Sequence, residues 1–149
     1  MQWYLRDKRR LRAEIELMEQ NGVNFELYTD DDENLLWKGP LYVSNHYHGD
    51  VRLVYSEIHP FKQMTVFIMD PSLPCINLHV HQNGTVCYIR DEEWSPEWTA
   101  LAVYLTAIRF LSDYYSGDMG SSLHYSLPHH EYVPREPSLL DRLTEAILS

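Results

Sequence analysis

Asn83-Gly84-Thr85-Val86-Cys87-Tyr88-Ile89-Arg90-Asp91-Glu92-Glu93-Trp94-Ser95-Pro96-Glu97-Trp98-Thr99 contains a turn, a thiol, an acidic run and a helix start in close succession. Asn-Gly is a strong turn signal because both residues tolerate a left-handed backbone. Cys87 follows that turn and precedes the polar run Arg90–Glu93, a position open to solvent, as a reactive thiol requires. Ser95 reads as an N-cap, Pro96 as the first helical residue and Glu97 as a first-turn acid. The helix that follows carries Leu101, Val103, Leu105, Ile108 and Leu111. Apolar on most sides up to Arg109, it is expected to be buried, and Gly117 and Gly120 end it.

Upstream, residues 3–21 read as one helix with Leu5, Leu11, Ile15, Leu17 and Met18 on its apolar side, stopped by Asn21-Gly22. A meander of short strands follows: Asn24–Tyr28, an acidic turn at Asp30–Glu33, and Leu35–Val43 with an interruption at Gly39-Pro40. His46–Gly49 has turn character, Val51–Tyr55 alternates as a strand, His59-Pro60-Phe61 makes a corner, and Met64–Met69 is a compact apolar strand. Pro71 and Pro74 mark irregular backbone crossing toward Cys87. Downstream, residues 116–137 form a loop rich in Gly, Ser, Pro and His. A last amphipathic helix runs from Ser138 with Leu139, Leu140, Leu143 and Ile147 on one side. The order is that of a single α+β domain over residues 1–149, with a core over about 3–115 and a loop and helix over 116–149.

A chain of 149 residues, 44% hydrophobic and 23% charged, is ordinary for one globular domain and long enough for one core. The 11 tyrosines and 4 tryptophans predict an aromatic helix–sheet interface. The formal net charge of −10 argues against nucleic acid and anionic membranes as partners. The charge is uneven: Arg6, Lys8, Arg9, Arg10 and Arg12 stand against Asp7 alone near the start. A basic helix on an acidic body suits an acidic protein partner; a solvated helix face is the plain alternative. Two cysteines, Cys75 and Cys87, do not make a disulfide framework. The opening residues lack a signal peptide's apolar stretch, and no apolar run is long enough for a membrane span. The expected location is the cytoplasm, with reduced thiols.

A thiolate suits acyl transfer, because it attacks readily and its ester stays reactive toward amines. The alternative for any single cysteine is a small buried hydrophobe. From Trp37 to Leu111 the order of motifs resembles a ubiquitin-conjugating enzyme. His59-Pro60-Phe61-Lys62 matches the family's Tyr-Pro-Phe-Lys corner, and Asn83-Gly84-Thr85-Val86-Cys87 resembles its Asn-Gly-x-Ile-Cys segment. Trp94-Ser95-Pro96-Glu97-Trp98-Thr99 matches the Trp-Ser-Pro-x-x-Thr start of its second helix, at close to the family spacing from the cysteine. Residues 3–21 fall where the family's first helix belongs.

The resemblance implies a fold with an N-terminal helix, an antiparallel meander, an active-site crossing and a buried central helix. It also implies that Cys87 accepts a ubiquitin-like C-terminus from an activating enzyme and passes it to an amine, with no cofactor. The family's His-Pro-Asn motif is absent: Asn77-Leu78-His79 stands there, so His79 takes the slot of an oxyanion donor or a loop support. Asn83 and Trp94 are expected as supports of the site, and Asp118 is the nearest candidate for the acid that guides the amine. The basic helix with Arg6, Arg9 and Arg10 falls where the family docks its activating enzyme, and Phe61 where it docks ligases. Gln63-Met64 replaces the family's proline pair, and the family's C-terminal helices are not recognisable. These departures resemble the divergent bacterial relatives found in antiphage operons, which act on a ubiquitin-like protein or on a nucleotidyltransferase through its C-terminus.

Two other readings stay open. One is an inactive scaffold of the same fold that binds an operon partner, which the missing His-Pro-Asn motif favours and the retained cysteine opposes. The other is a small zinc module using Cys75, His79, His81 and Cys87, residue types that suit the metal. The irregular spacing and the lack of a close cysteine pair count against it, and no metal is expected.

Overall fold

The computed structural model of the protein describes residues 1–69 and 83–116. Two helices open the chain, α1 (Trp3–Arg6) and α2 (Lys8–Gln20). One continuous helix was expected, but Asp7 leaves helical geometry at φ −124° and its carboxylate accepts from the Arg10 backbone N–H at 3.0 Å. It caps α2 in the manner of any aspartate at a helix start. The meander then runs β1 (Glu26–Thr29), β2 (Leu35–Val43), β3 (His46–Val54), β4 (Thr65–Met69) and β5 (Thr85–Val86). All neighbours are antiparallel and the sheet order equals the chain order.

Two local expectations needed correction. The turn between β2 and β3 lies at Ser44-Asn45, both left-handed at φ 51° and 66°, and His46–Gly49 is strand. Paired left-handed residues match the twist of a hairpin. Gly39-Pro40 does not interrupt β2; the strand runs through it and shifts register between Pro40 and Tyr42.

Register explains how the sheet makes a core. Leu27, Trp37, Leu53, Val66 and Val86 form one row across all five strands, and the last four are at most 4% exposed. The adjacent row, Glu26, Lys38, Arg52, Phe67 and Thr85, lies on the opposite face, as the two-residue period of strands dictates. Helix α3 (Ala100–Ser116) packs on the inner face beside α2, burying Leu101, Val103, Ala107, Phe110 and Leu111.

The start of α3 differs from expectation. Ser95–Trp98 is a turn closed by Trp98 N–H donating to Ser95 O at 3.1 Å, and the cap is Thr99, whose Oγ1 accepts from Ala102 N–H at 3.1 Å. Arg10 accounts for the shift. Buried at 2% exposure, its guanidinium donates to Pro96 O at 2.9 Å and Trp98 O at 2.6 Å. These carbonyls are engaged by a side chain of α2, and the helix begins only after them.

Glu14, 1% exposed, is the centre of this polar knot. Its carboxylate accepts from His59 Nε2 at 2.8 Å, from Ala100 N–H at 2.9 Å and from Arg10 at 3.5 Å. Helix α2, the His59-Pro60 corner and the start of α3 are thus tied by one carboxylate. His59 Nδ1 meets no partner among the described residues, which suits a neutral ring protonated on Nε2.

Burial outweighs the pull of Glu14 and holds the His59 imidazole below its ordinary 6.5. The unfolded chain then binds the extra proton more readily than the folded one, so stability falls as pH drops below the unfolded value. The urea midpoint should decline from pH 7 toward pH 5.5, and less steeply in His59→Gln, whose amide can still donate to Glu14. Equal slopes would refute the assignment.

Candidate active site

Cys87 stands immediately past β5, and the chain before and after it is anchored. Asn83 Oδ1 accepts from Thr85 N–H at 3.0 Å, fixing the turn. Gly84 occupies φ +88°, and its carbonyl accepts from Ile68 N–H at 2.8 Å. Val86 and Tyr88, the residues on either side of Cys87, are 3% and 1% exposed. Two inward neighbours in extended chain leave the residue between them facing outward, and Cys87 is exposed. Its Sγ lies 3.7 Å from Ile89 O, toward which the thiol donates.

Burial of the thiol, and then the charge of Asp91, push the Cys87 pKa up. Less thiolate is present at neutral pH than for a free thiol, but each thiolate is a stronger nucleophile. With a Brønsted coefficient of about 0.4–0.5, nearly half of the logarithmic loss per unit of pKa is recovered.

Asp91 begins a 3-10 turn, Asp91–Glu93, that leads to Trp94. The Trp94 Nε1–H donates to Pro60 O at 2.8 Å, and its ring stacks on Trp98 at 5.7 Å. Trp94 therefore joins the segment after the cysteine to the corner. Asn83 bonds only within its own turn, before the cysteine.

The residues expected to meet partners separate. Phe61 is 74% exposed and Arg6 is exposed. Both line a groove of about 320 Å³ with Trp3, His59 and Pro96; Cys87 is not part of it. Arg9 is half-buried. Arg10 corrects the expectation: locked on Glu14, Pro96 O and Trp98 O, it is a structural cation and not a surface one. Charge reversal there would break the fold, whereas at Arg6 it tests docking. Sequence reading missed Glu14 and Arg10 as a pair; their spacing of four on one helix was the available signal.

His79, Asp118, Cys75 and His81 lie outside the described residues. Among the described residues, no group of three His, Cys, Asp or Glu side chains is placed to hold a metal, and no helix is long and apolar enough to cross a membrane.

No protein-family model matches the chain, and no curated protein matches it. Among solved structures it is similar to human ubiquitin-conjugating enzyme E2 G1, with 20% identity and a TM-score of 0.50. The match covers 73% of this chain and 97% of the human one. A likeness at that identity is one of fold: the α+β architecture, with its five-stranded antiparallel sheet, is like that of a ubiquitin-conjugating enzyme.

Proposed function

We propose that the protein is a ubiquitin-conjugating-type acyl transferase that carries an activated C-terminus on Cys87. The observation that carries this reading is the outward sulfur between two buried neighbours, on a fold shared with a conjugating enzyme. In the first step the Cys87 thiolate attacks the thioester carbonyl of a charged activating-type enzyme, and that enzyme's thiolate leaves. In the second an amine attacks the Cys87 thioester, a proton leaves the nitrogen, and the Cys87 thiolate is expelled. His79 is proposed as the donor to the tetrahedral oxyanion and Asp118 as the acid that guides the amine. Arg6 and Phe61, beside one groove, are the proposed docking residues. The cargo is a ubiquitin-like protein or a nucleotidyltransferase C-terminus. The proposed setting is bacterial antiphage defence, supported by the missing His-Pro-Asn motif and by Gln63-Met64 in place of a proline pair.

The test uses ubiquitin bearing a C-terminal mercaptoethanesulfonate thioester, with wild type and Cys87→Ala. The wild type should gain an adduct that dithiothreitol reverses, and Cys87→Ala should gain none at that position. The wild-type adduct should then pass to free lysine about 100-fold faster than a small peptide thioester does, the scale of positioned acid–base assistance. An adduct that discharges no faster than the peptide thioester would make the protein a scaffold.

A further inference from the structure

The β4–β5 ladder ends one residue before the cysteine, at the pair Val66 and Val86. Beyond it the chain is held by a side chain. The Tyr88 hydroxyl donates to Met64 O at 2.8 Å, on the segment just before β4. The same hydroxyl accepts from the Gln63 side-chain amide. Tyr88 is 1% exposed, so its phenol continues the tie between the two strands where the backbone ladder stops.

Gln63 is poorly placed if stability were its only task. Its Oε1 is buried and meets no partner among the described residues, and an unmet buried carbonyl offsets the single hydrogen bond made by the other end of the amide. A leucine of similar size would avoid that loss.

We propose that Gln63 is a positioning residue for Cys87, acting through the Tyr88 hydroxyl to set how far the sulfur stands out from the protein surface. This deepens the acyl-transfer reading and rests on it for its purpose, though the mechanical link is measurable by itself. With the latch intact, the backbone next to Cys87 has one orientation and the thiol keeps its partly shielded seat against Ile89 O. Without it the Tyr88 ring remains buried by its apolar area, but the hydroxyl loses one of its two partners. The cysteine segment then shifts outward, and more of the already exposed sulfur meets water. The charged group acting on that sulfur is Asp91, in the turn that follows; it stays in place in either variant.

The experiment follows iodoacetamide alkylation of Cys87 against pH by peptide mass spectrometry, in wild type, Gln63→Leu, Tyr88→Phe and the double variant. Removing the latch should lift part of the burial that raises the thiol pKa. The profile of Gln63→Leu should move to lower pH by about half a unit, making alkylation at neutral pH about twofold faster once the lower nucleophilicity of the less basic thiolate is counted. Tyr88→Phe should do the same, and the double variant should go no further than Tyr88→Phe. Transfer of the ubiquitin adduct to lysine should fall in the same variants, so that thiol reactivity and acyl transfer move in opposite directions. The thermal midpoint of Gln63→Leu should stay at the wild-type value or above it, separating positioning from loss of fold. A Gln63→Leu profile that superimposes on wild type, or single shifts that add fully in the double variant, would overturn the proposal. Alkylation needs no cargo, so a wild type that never transfers an acyl group sinks the proposed function while leaving this link standing or falling on its own.

Discussion

Glu14→Ala should come close to unfolding the protein, with a loss of about 3–5 kcal/mol, the usual result of removing one partner from a buried ion pair. Whole domains of this size are stable by about 5–15 kcal/mol, so that is a large fraction of the total. Arg10 is 2% exposed and cannot turn to water when its carboxylate disappears. At the same time His59 Nε2–H and Ala100 N–H each lose their acceptor. Glu14→Gln separates the two contributions, since its carbonyl oxygen still accepts one of those hydrogen bonds while the charge is gone. It should fall between wild type and Glu14→Ala in urea denaturation. Arg10→Met combined with Glu14→Gln should recover part of the loss, because the stranded cation is then removed as well. A Glu14→Ala protein within about 1 kcal/mol of wild type would show that the knot contributes little; the range expected for one neutral hydrogen bond is already about 0.5–1.5 kcal/mol.

The same knot marks the limit of what was legible in the sequence. The meander, the buried helix and the outward cysteine were readable because each follows from local patterns: two-residue alternation, apolar crowding from Leu101 onward, and the Asn83-Gly84 turn. Where α3 begins was not, because Ser95 and Thr99 are both good capping residues. The choice between them is made by Arg10, over 80 residues earlier in the chain, which occupies the carbonyls of Pro96 and Trp98. Arg10 itself looks like its neighbours in a basic helix, and its i,i+4 relation to Glu14 is repeated by Arg12 and Glu16, so spacing alone does not single it out. The Ser44-Asn45 turn was missed for a different reason. His46 and His48 interrupt the apolar alternation, although the ladder from Val43↔His46 inward does not depend on it. The latch between Gln63 and Tyr88 joins residues far apart in the chain, and no local pattern announces such a pair. For the cysteine the local signal sufficed, since a buried Val86 and Tyr88 on either side follow from their apolar bodies.

Gly84→Ala is expected to damage acyl transfer far more than it damages the fold. Gly84 sits at φ +88°, and a Cβ built there would lie 2.6 Å from Ile68 O, a backbone atom that cannot swing aside. The Ile68 N–H to Gly84 O bond at 2.8 Å holds the two chains together at that point, so the added methyl must push the Cys87 segment away from β4. Gly22 supplies the control: it is also left-handed, at φ +65°, but has nothing within 4 Å of the corresponding position. Gly22→Ala therefore meets only the left-handed penalty of about 1–2 kcal/mol and should transfer acyl groups at the wild-type rate. Gly84→Ala meets that penalty and the collision together. A displacement of about 1 Å at a reacting atom is worth about 100-fold in rate, so single-turnover transfer from the preformed Cys87 adduct to lysine should drop by at least about tenfold. Measuring both variants at matched fractions folded separates geometry from stability. If Gly84→Ala transfers as fast as Gly22→Ala, the close approach of β4 to the turn does not set the position of the sulfur.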